Sequence, residues 1–301
     1  MNLFATAAAL LIALIYISFL RQIDLFEKER RIFSVLTFLL GCAGVLLLFV
    51  LQAHCPLQRL FNEGNTLWER FRFHAIGVAV FEETVKLLPL LLLLPFRKPV
   101  DEPFDYIKYA SLGALGFATV ENVLYFNRYS LEIVEARAFY TAIMHMFTTS
   151  WIGYSMMQRK RAGKTWIFIV IPSWILAVGV HGVFNALVGS NATYSWGVVF
   201  CMVLLVMWGR MMNNALNVSP FFNEETARKG AGKATFRLLM GWLVLFVFVA
   251  LGTTVQLGME AGIRFVGEGA SFGFMSGLGL YWALGRPKLE RGMWRSLIPG
   301  K

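Results

Sequence analysis

Apolar runs of about 17–25 residues recur along this chain between short charged connections, the length that a bilayer's hydrocarbon core asks of a helix. Nine are predicted, at 2–20, 32–51, 75–95, 107–127, 138–157, 166–188, 194–212, 238–257 and 268–284. Backbone polar groups find no water in hydrocarbon, so runs this continuous are helices. The pattern predicts an all-α polytopic membrane bundle forming a single integral membrane domain over 1–301. The ninth run is glycine-rich and follows Glu260, Arg264 and Glu268. It reads as short, tilted or re-entrant, with Gly273 and Gly277 spaced for close helix contact. The longest connection, about 213–237, carries Phe221 and Phe222 among basic residues and reads as a segment lying on anionic headgroups.

Composition agrees. Mean hydropathy is +0.60 and only 15% of residues are charged, outside the range of soluble domains. The net charge of +10 raises the question of a nucleic-acid partner, but the distribution of the 28 Lys and Arg residues answers it. Alternating topology gathers 21 of them on one side and six on the other, with Lys86 inside a span. The positive-inside rule then places the N-terminus outside and the C-terminus in the cytoplasm, so the charge implies a lipid bilayer partner and no nucleic acid. The first run has no basic residue before it and reads as a retained span. Cys42, Cys55 and Cys201 are too scattered for a disulfide framework or a C-x-x-C metal site.

Against this background the interiors of the third to sixth runs stand out. They hold Glu82, Glu83 and Lys86; Glu121 and Asn122; His145; and His181 with Asn185. A charged group at a helix centre costs about 2.5–3.5 kcal/mol to insert, so this density needs a reason. Counted along alternating helices at 1.5 Å per residue, Glu82, Glu121, His145 and His181 all fall about 8–11 Å below the outer surface. Four polar groups at one level on four successive helices predict one site. Glu82 and Lys86 are i and i+4, as are His181 and Asn185, so each pair shares a helix face, whereas Glu83 points about 100° away. Thr148 and Thr149 lie one turn from His145.

Such a set is competent for amide hydrolysis. A glutamate can take a proton from water while histidines and an asparagine amide stabilise the oxyanion. No serine or cysteine nucleophile occupies a matching position, so water attack is the simpler mechanism. Two histidines with carboxylates are also zinc ligands, but no H-E-x-x-H occurs and the candidates come from separate helices; neither metal nor cofactor is expected. The rivals are a proton-coupled transporter or channel and a non-catalytic scaffold. A proton pathway should place polar groups at several depths, whereas these cluster at one.

FEETVKLLPL, GFATVENVLYF, the solitary histidine of TAIMHMFTTSWIGY, and HGVFNAL follow one another on successive apolar segments. Their order resembles the PrsW family of membrane proteases, related to the CAAX prenyl endopeptidase and bacteriocin-processing superfamily, over about 81–187. The resemblance implies a glutamate-dependent intramembrane endopeptidase of the bacterial cytoplasmic membrane, with a membrane-anchored protein as substrate. It also implies a catalytic core at 75–188, flanking helices at 1–51 and 194–284, and a basic tail at 285–301. Glu82 and Glu83 match the paired glutamates, with Glu82 as water-activating base and Glu83 supporting it; His145, His181 and Asn185 orient water or stabilise the oxyanion. Glu121 and Asn122 match the family's E-N pair, where prenyl endopeptidases resemble F-x-x-x-H. Lys86 fits E-E-x-x-K, where prenyl endopeptidases resemble E-E-x-x-x-R. In the family the best-known activity is the first cut of an anti-sigma factor.

Overall fold

A computed structural model describes residues 2–55, 57–96, 100–129, 131–284 and 289–297, and among these every regular element is a helix. The helices are α1 (Leu3–Ile23), α2 (Arg31–His54), α3 (Leu67–Arg72), α4 (Val80–Leu93), α5 (Pro103–Tyr129), α6 (Val134–Ala136), α7 (Ala142–Arg161), α8 (Ile167–Val188), α9 (Tyr194–Asn217), α10 (Glu224–Leu257) and α11 (Met259–Leu284). Five of them, α1, α2, α8, α9 and α10, are long and apolar enough on their own to cross a membrane. Faces of α2, α8 and α10 bearing Leu46, Phe49, Phe168, Ile171, Val244 and Leu251 are exposed, as lipid-facing surfaces are. The buried side chains of α5 and α7 fill the centre, with α5 buried from Phe104 to Thr119 without a break.

Small residues let the helices around the site approach backbone to backbone. A Cβ on Gly41 of α2 would meet the carbonyl of Gly113 on α5, and one on Gly116 the carbonyl of Phe38. Gly153 of α7 lies likewise against the carbonyl of Tyr106, and Gly182 of α8 against Ala75. The expected close contact through Gly273 and Gly277 is not made. A Cβ there would find only Phe246 and Leu239 side-chain atoms at 3.9 and 3.8 Å, ordinary van der Waals distances, because long residues of α10 hold α11 away.

Two further differences concern the ends. The segment read as a long connection is largely helical. α9 runs on to Asn217, and α10 begins at Glu224, where the Asn223 side chain accepts the Thr226 N–H at 2.9 Å and two glutamates occupy the first turn. Those are helix-start signals that outweigh the polarity of the stretch. Phe222 packs on Phe26 at 4.9 Å between ring centroids.

Residues 290–296 form a strap across the ends of α9 and α7. Buried Asn217 accepts the Glu290 N–H (2.9 Å) and donates to the Met293 carbonyl (3.1 Å). Asn214, one turn earlier, accepts the Arg295 N–H (2.9 Å) and donates to its carbonyl (2.8 Å). Trp294 stacks on Tyr154 of α7, and Gly292 turns the strap at a φ of +76°, open to glycine without steric cost. The basic tail expected at 285–301 lies partly outside the described residues.

Candidate active site

α4 and α7 each follow a π-helical turn, Phe73–Ala79 and Arg137–Thr141. Such turns are rare, and each widens the helix one or two turns before the residues that matter, Glu82–Glu83 and His145.

At the centre lies Lys86, fully buried. Its ammonium donates to Glu83 Oε1 at 2.6 Å and to His145 Nδ1 at 2.7 Å, with His181 Nδ1 at 3.5 Å and Glu82 Oε2 at 3.7 Å. The Phe117 ring lies 5.3 Å below it. Glu83, which helical spacing alone turned away from the site, is in fact its hub. Its Oε1 accepts from Lys86, from Thr148 Oγ1 at 3.1 Å and from His181 Nδ1 at 2.7 Å. The i,i+3 pair with Glu83 is the tight one, and the predicted i,i+4 pair of Lys86 with Glu82 is looser by more than 1 Å.

These contacts assign the imidazoles. Lys86 supplies a proton to His145 Nδ1, so the neutral ring carries its hydrogen on Nε2 and donates it to Glu121 Oε2 at 3.1 Å. His181 donates from Nδ1 to Glu83, which leaves the Nε2 lone pair free, 3.7 Å from Glu82 Oε2. That carboxylate oxygen is buried and has no hydrogen-bond partner. Glu83 Oε2 is likewise without a partner but belongs to a wholly enclosed residue, and the more exposed Glu121 is tied to Arg137 and His145, whereas Glu82, 6% exposed, has its free oxygen beside the far nitrogen of His181.

The same atoms bear on a metal. One ligand atom each from Glu82, His145 and His181 lies within 4.8 Å of the others. Two histidines and a glutamate are the donor set of many catalytic zinc sites, and an orphaned carboxylate oxygen beside a free imidazole lone pair fits that use. To take part, His145 would give up one of its two bonds, to Lys86 at Nδ1 or to Glu121 at Nε2.

Of the expected residues, Glu82, Glu83, Lys86, Glu121, His145 and His181 meet in one network, joined by Thr148. Asn122 faces Arg137 instead, accepting from its Nε at 2.7 Å. Asn185 is half-buried; its carbonyl accepts the Gly189 N–H, and its side chain does not join the network. Arg137 was missed. Its Nη2 donates to Glu121 Oε2 at 2.6 Å, and its guanidinium lies over the Tyr125 ring at 3.8 Å. Its place at the outer edge of the fifth apolar run, about two turns before His145, was the available signal.

Comparison with known proteins bears on the same segment. Residues 29–209 match the family described as PrsW family intramembrane metalloprotease. Protease PrsW of Geobacillus kaustophilus is 28% identical over 185 residues, 62% of this chain and 79% of that protein. Protease PrsW of Clostridioides difficile is 25% identical over 210 residues (66% and 85%), and that of Bacillus subtilis 24% over 172 (55% and 75%). No solved structure matches the chain at the same stringency.

Proposed function

The chain belongs to the PrsW family of intramembrane proteases, and from that premise we propose that it hydrolyses a peptide bond of a membrane-anchored protein at the Glu82–His181 pair. It is an integral bacterial membrane protein acting on protein substrates. The observation that carries the reading is the free oxygen of Glu82 facing the free nitrogen of His181 at 3.7 Å.

In this reading Glu82 orients a water and accepts its proton as the oxygen attacks the scissile carbonyl. Lys86, held by Glu83, keeps a positive charge beside the developing oxyanion at no cost of reorganisation. His145, steadied by Glu121, completes that wall. Glu83 anchors Lys86 and His181 and does not meet the substrate. Glu82, His145 and His181 would hold the metal named in the family's description, which when bound supplies an acidified water and polarises the carbonyl. The proposed core is 75–188. The charge distribution supports nine crossings with the N-terminus outside, a cut near the outer leaflet, and by family likeness the first step of an anti-sigma-factor cascade.

The test is cleavage of a panel of single-span membrane proteins by reconstituted protein, comparing wild type with Glu82→Gln and His181→Ala, with and without a strong chelator. Cleavage lost in both variants is expected. Resistance to the chelator would leave the carboxylate to activate water unaided, and sensitivity would assign the ion. Cleavage that survives Glu82→Gln would sink the assignment, and solute flux without any cleavage would move the protein to the transporters.

A further inference from the structure

A cleft of about 510 Å³ opens between α7 and α8, on the side of these helices away from His145 and His181. Its walls are two helical stripes: Trp151, Ser155 and Gln158–Arg159 on α7, and Ile169, Pro172–Ser173 and Leu176 on α8. The helices are joined by a tight loop in which Gly163 takes a φ of +68° and Lys164 reaches the cleft mouth. One end is therefore cationic and the other apolar.

Three features identify the occupant. No acidic residue lines the cleft. Arg159 has a buried Nε without a hydrogen-bond partner, although its neighbours in the basic run are engaged, Lys160 over Tyr106 and Arg161 over Trp294. The basic residues lie at the headgroup level, and from Ile169 to Leu176 the wall runs about 10 Å into the hydrocarbon, deep enough for the upper part of an acyl chain. An elongated ligand with an anionic head and an apolar tail satisfies all three. Phe168, Ile171 and Ile175 beside the cleft are exposed, so the ligand would enter sideways from the bilayer.

We propose that this cleft is a binding site for an anionic phospholipid, its phosphate against Arg159 and Lys164 and an acyl chain lying along Ile169 and Leu176 towards Trp151. Basic pockets between membrane helices recognise headgroups in this way. The proposal is independent of the proteolytic reading, because its readout is binding.

The experiment is native mass spectrometry of the delipidated full chain, titrated with phosphatidylglycerol and with phosphatidylcholine of the same acyl chains. Wild type should retain one phosphatidylglycerol in preference to phosphatidylcholine, and Arg159→Gln/Lys164→Gln should weaken it about 10- to 30-fold. Arg228→Gln/Lys233→Gln, which removes the same charge from α10, should not. A second measurement uses the unaltered protein: phosphatidylglycerol brominated along its chains should quench a part of the tryptophan fluorescence that is missing in Trp151→Phe. Equal retention of the two lipids by wild type, equal loss in both double variants, or quenching unchanged in Trp151→Phe would each overturn the proposal.

Discussion

Replacing Arg137 by glutamine tests whether the site depends on a residue that need not touch substrate. The guanidinium makes a 2.6 Å charge-assisted bond to Glu121, a 2.7 Å bond to Asn122 and a 3.8 Å stack on Tyr125, all on α5. Bonds to charged groups contribute about 1.5–3 kcal/mol each and a cation–π contact about 0.5–2. Both the carboxylate and the guanidinium are largely enclosed, at 17% and 12% side-chain exposure, so solvent restores only part of the loss. Glu121 would then be held by His145 alone, through its 3.1 Å bond. If about 1.4–2.7 kcal/mol of that loosening reaches the transition state, kcat falls about 10- to 100-fold. KM should stay within about twofold, because a positioning residue acts through His145 and not on ground-state binding. Arg137→Lys should recover part of the rate, since it restores the charge without the second bond or the planar stack. The assay is turnover of a single-span substrate in proteoliposomes at saturating and limiting concentrations. Unchanged kcat in Arg137→Gln, or a loss carried wholly by KM, would refute the chain of contacts argued here.

Three further outcomes follow from the packing and the charges. Gly116→Leu should collapse detergent stability and expression of folded protein, since its Cβ meets the Phe38 carbonyl, whereas Gly273→Leu should be tolerated; size-exclusion profiles would separate the two. Lys86→Met leaves the fully buried Glu83 without its ion partner and should cost about 3–5 kcal/mol, and the double variant with Glu83→Gln should recover much of it; similar melting of single and double variants would contradict the pairing. Glu102, in the loop before α5, is buried and pushed up to about 7 from the ordinary 4.5, chiefly by burial and despite the Ser219 hydroxyl that donates to it at 2.6 Å. Between those two values the folded state keeps a proton that the unfolded chain has released, so this residue lowers stability as pH rises towards 7. Glu102→Gln should therefore melt a few degrees higher than wild type at pH 8 and no differently at pH 4.5, which thermal melts across that range would check.

Much of the site was legible because bilayer insertion makes every intramembrane charge conspicuous. Depth counting brought Glu82, Glu121, His145 and His181 to one level, and they do meet. What spacing could not resolve was which glutamate turns inward. Glu82 and Glu83 differ by 100° on an ideal helix, but the π-helical turn before them and the packing of Ala75 on Gly182 set the rotation of the segment. Arg137 was hidden for a similar reason: beyond the end of an apolar run, a basic residue reads as topology and not as chemistry. The strap is silent in hydropathy altogether, since its contacts are amide to backbone. The close glycines are those facing another backbone, and composition does not distinguish Gly116 from Gly277.

The asparagine clasp on residues 290–296 also has a place in time. Every bond in it joins α9 to chain synthesised more than 70 residues later, after α10 and α11 have passed the ribosome. Until then Asn214 and Asn217 have no such partners, and the end of α7 beside Tyr154 lacks the cover of Trp294. Asn214 then keeps its 3.0 Å bond to the Tyr154 hydroxyl, and the arrival of the strap satisfies the rest of both amides. A helix that contributes His145 to the site is thus not locked at its far end until translation has moved past every membrane segment described here.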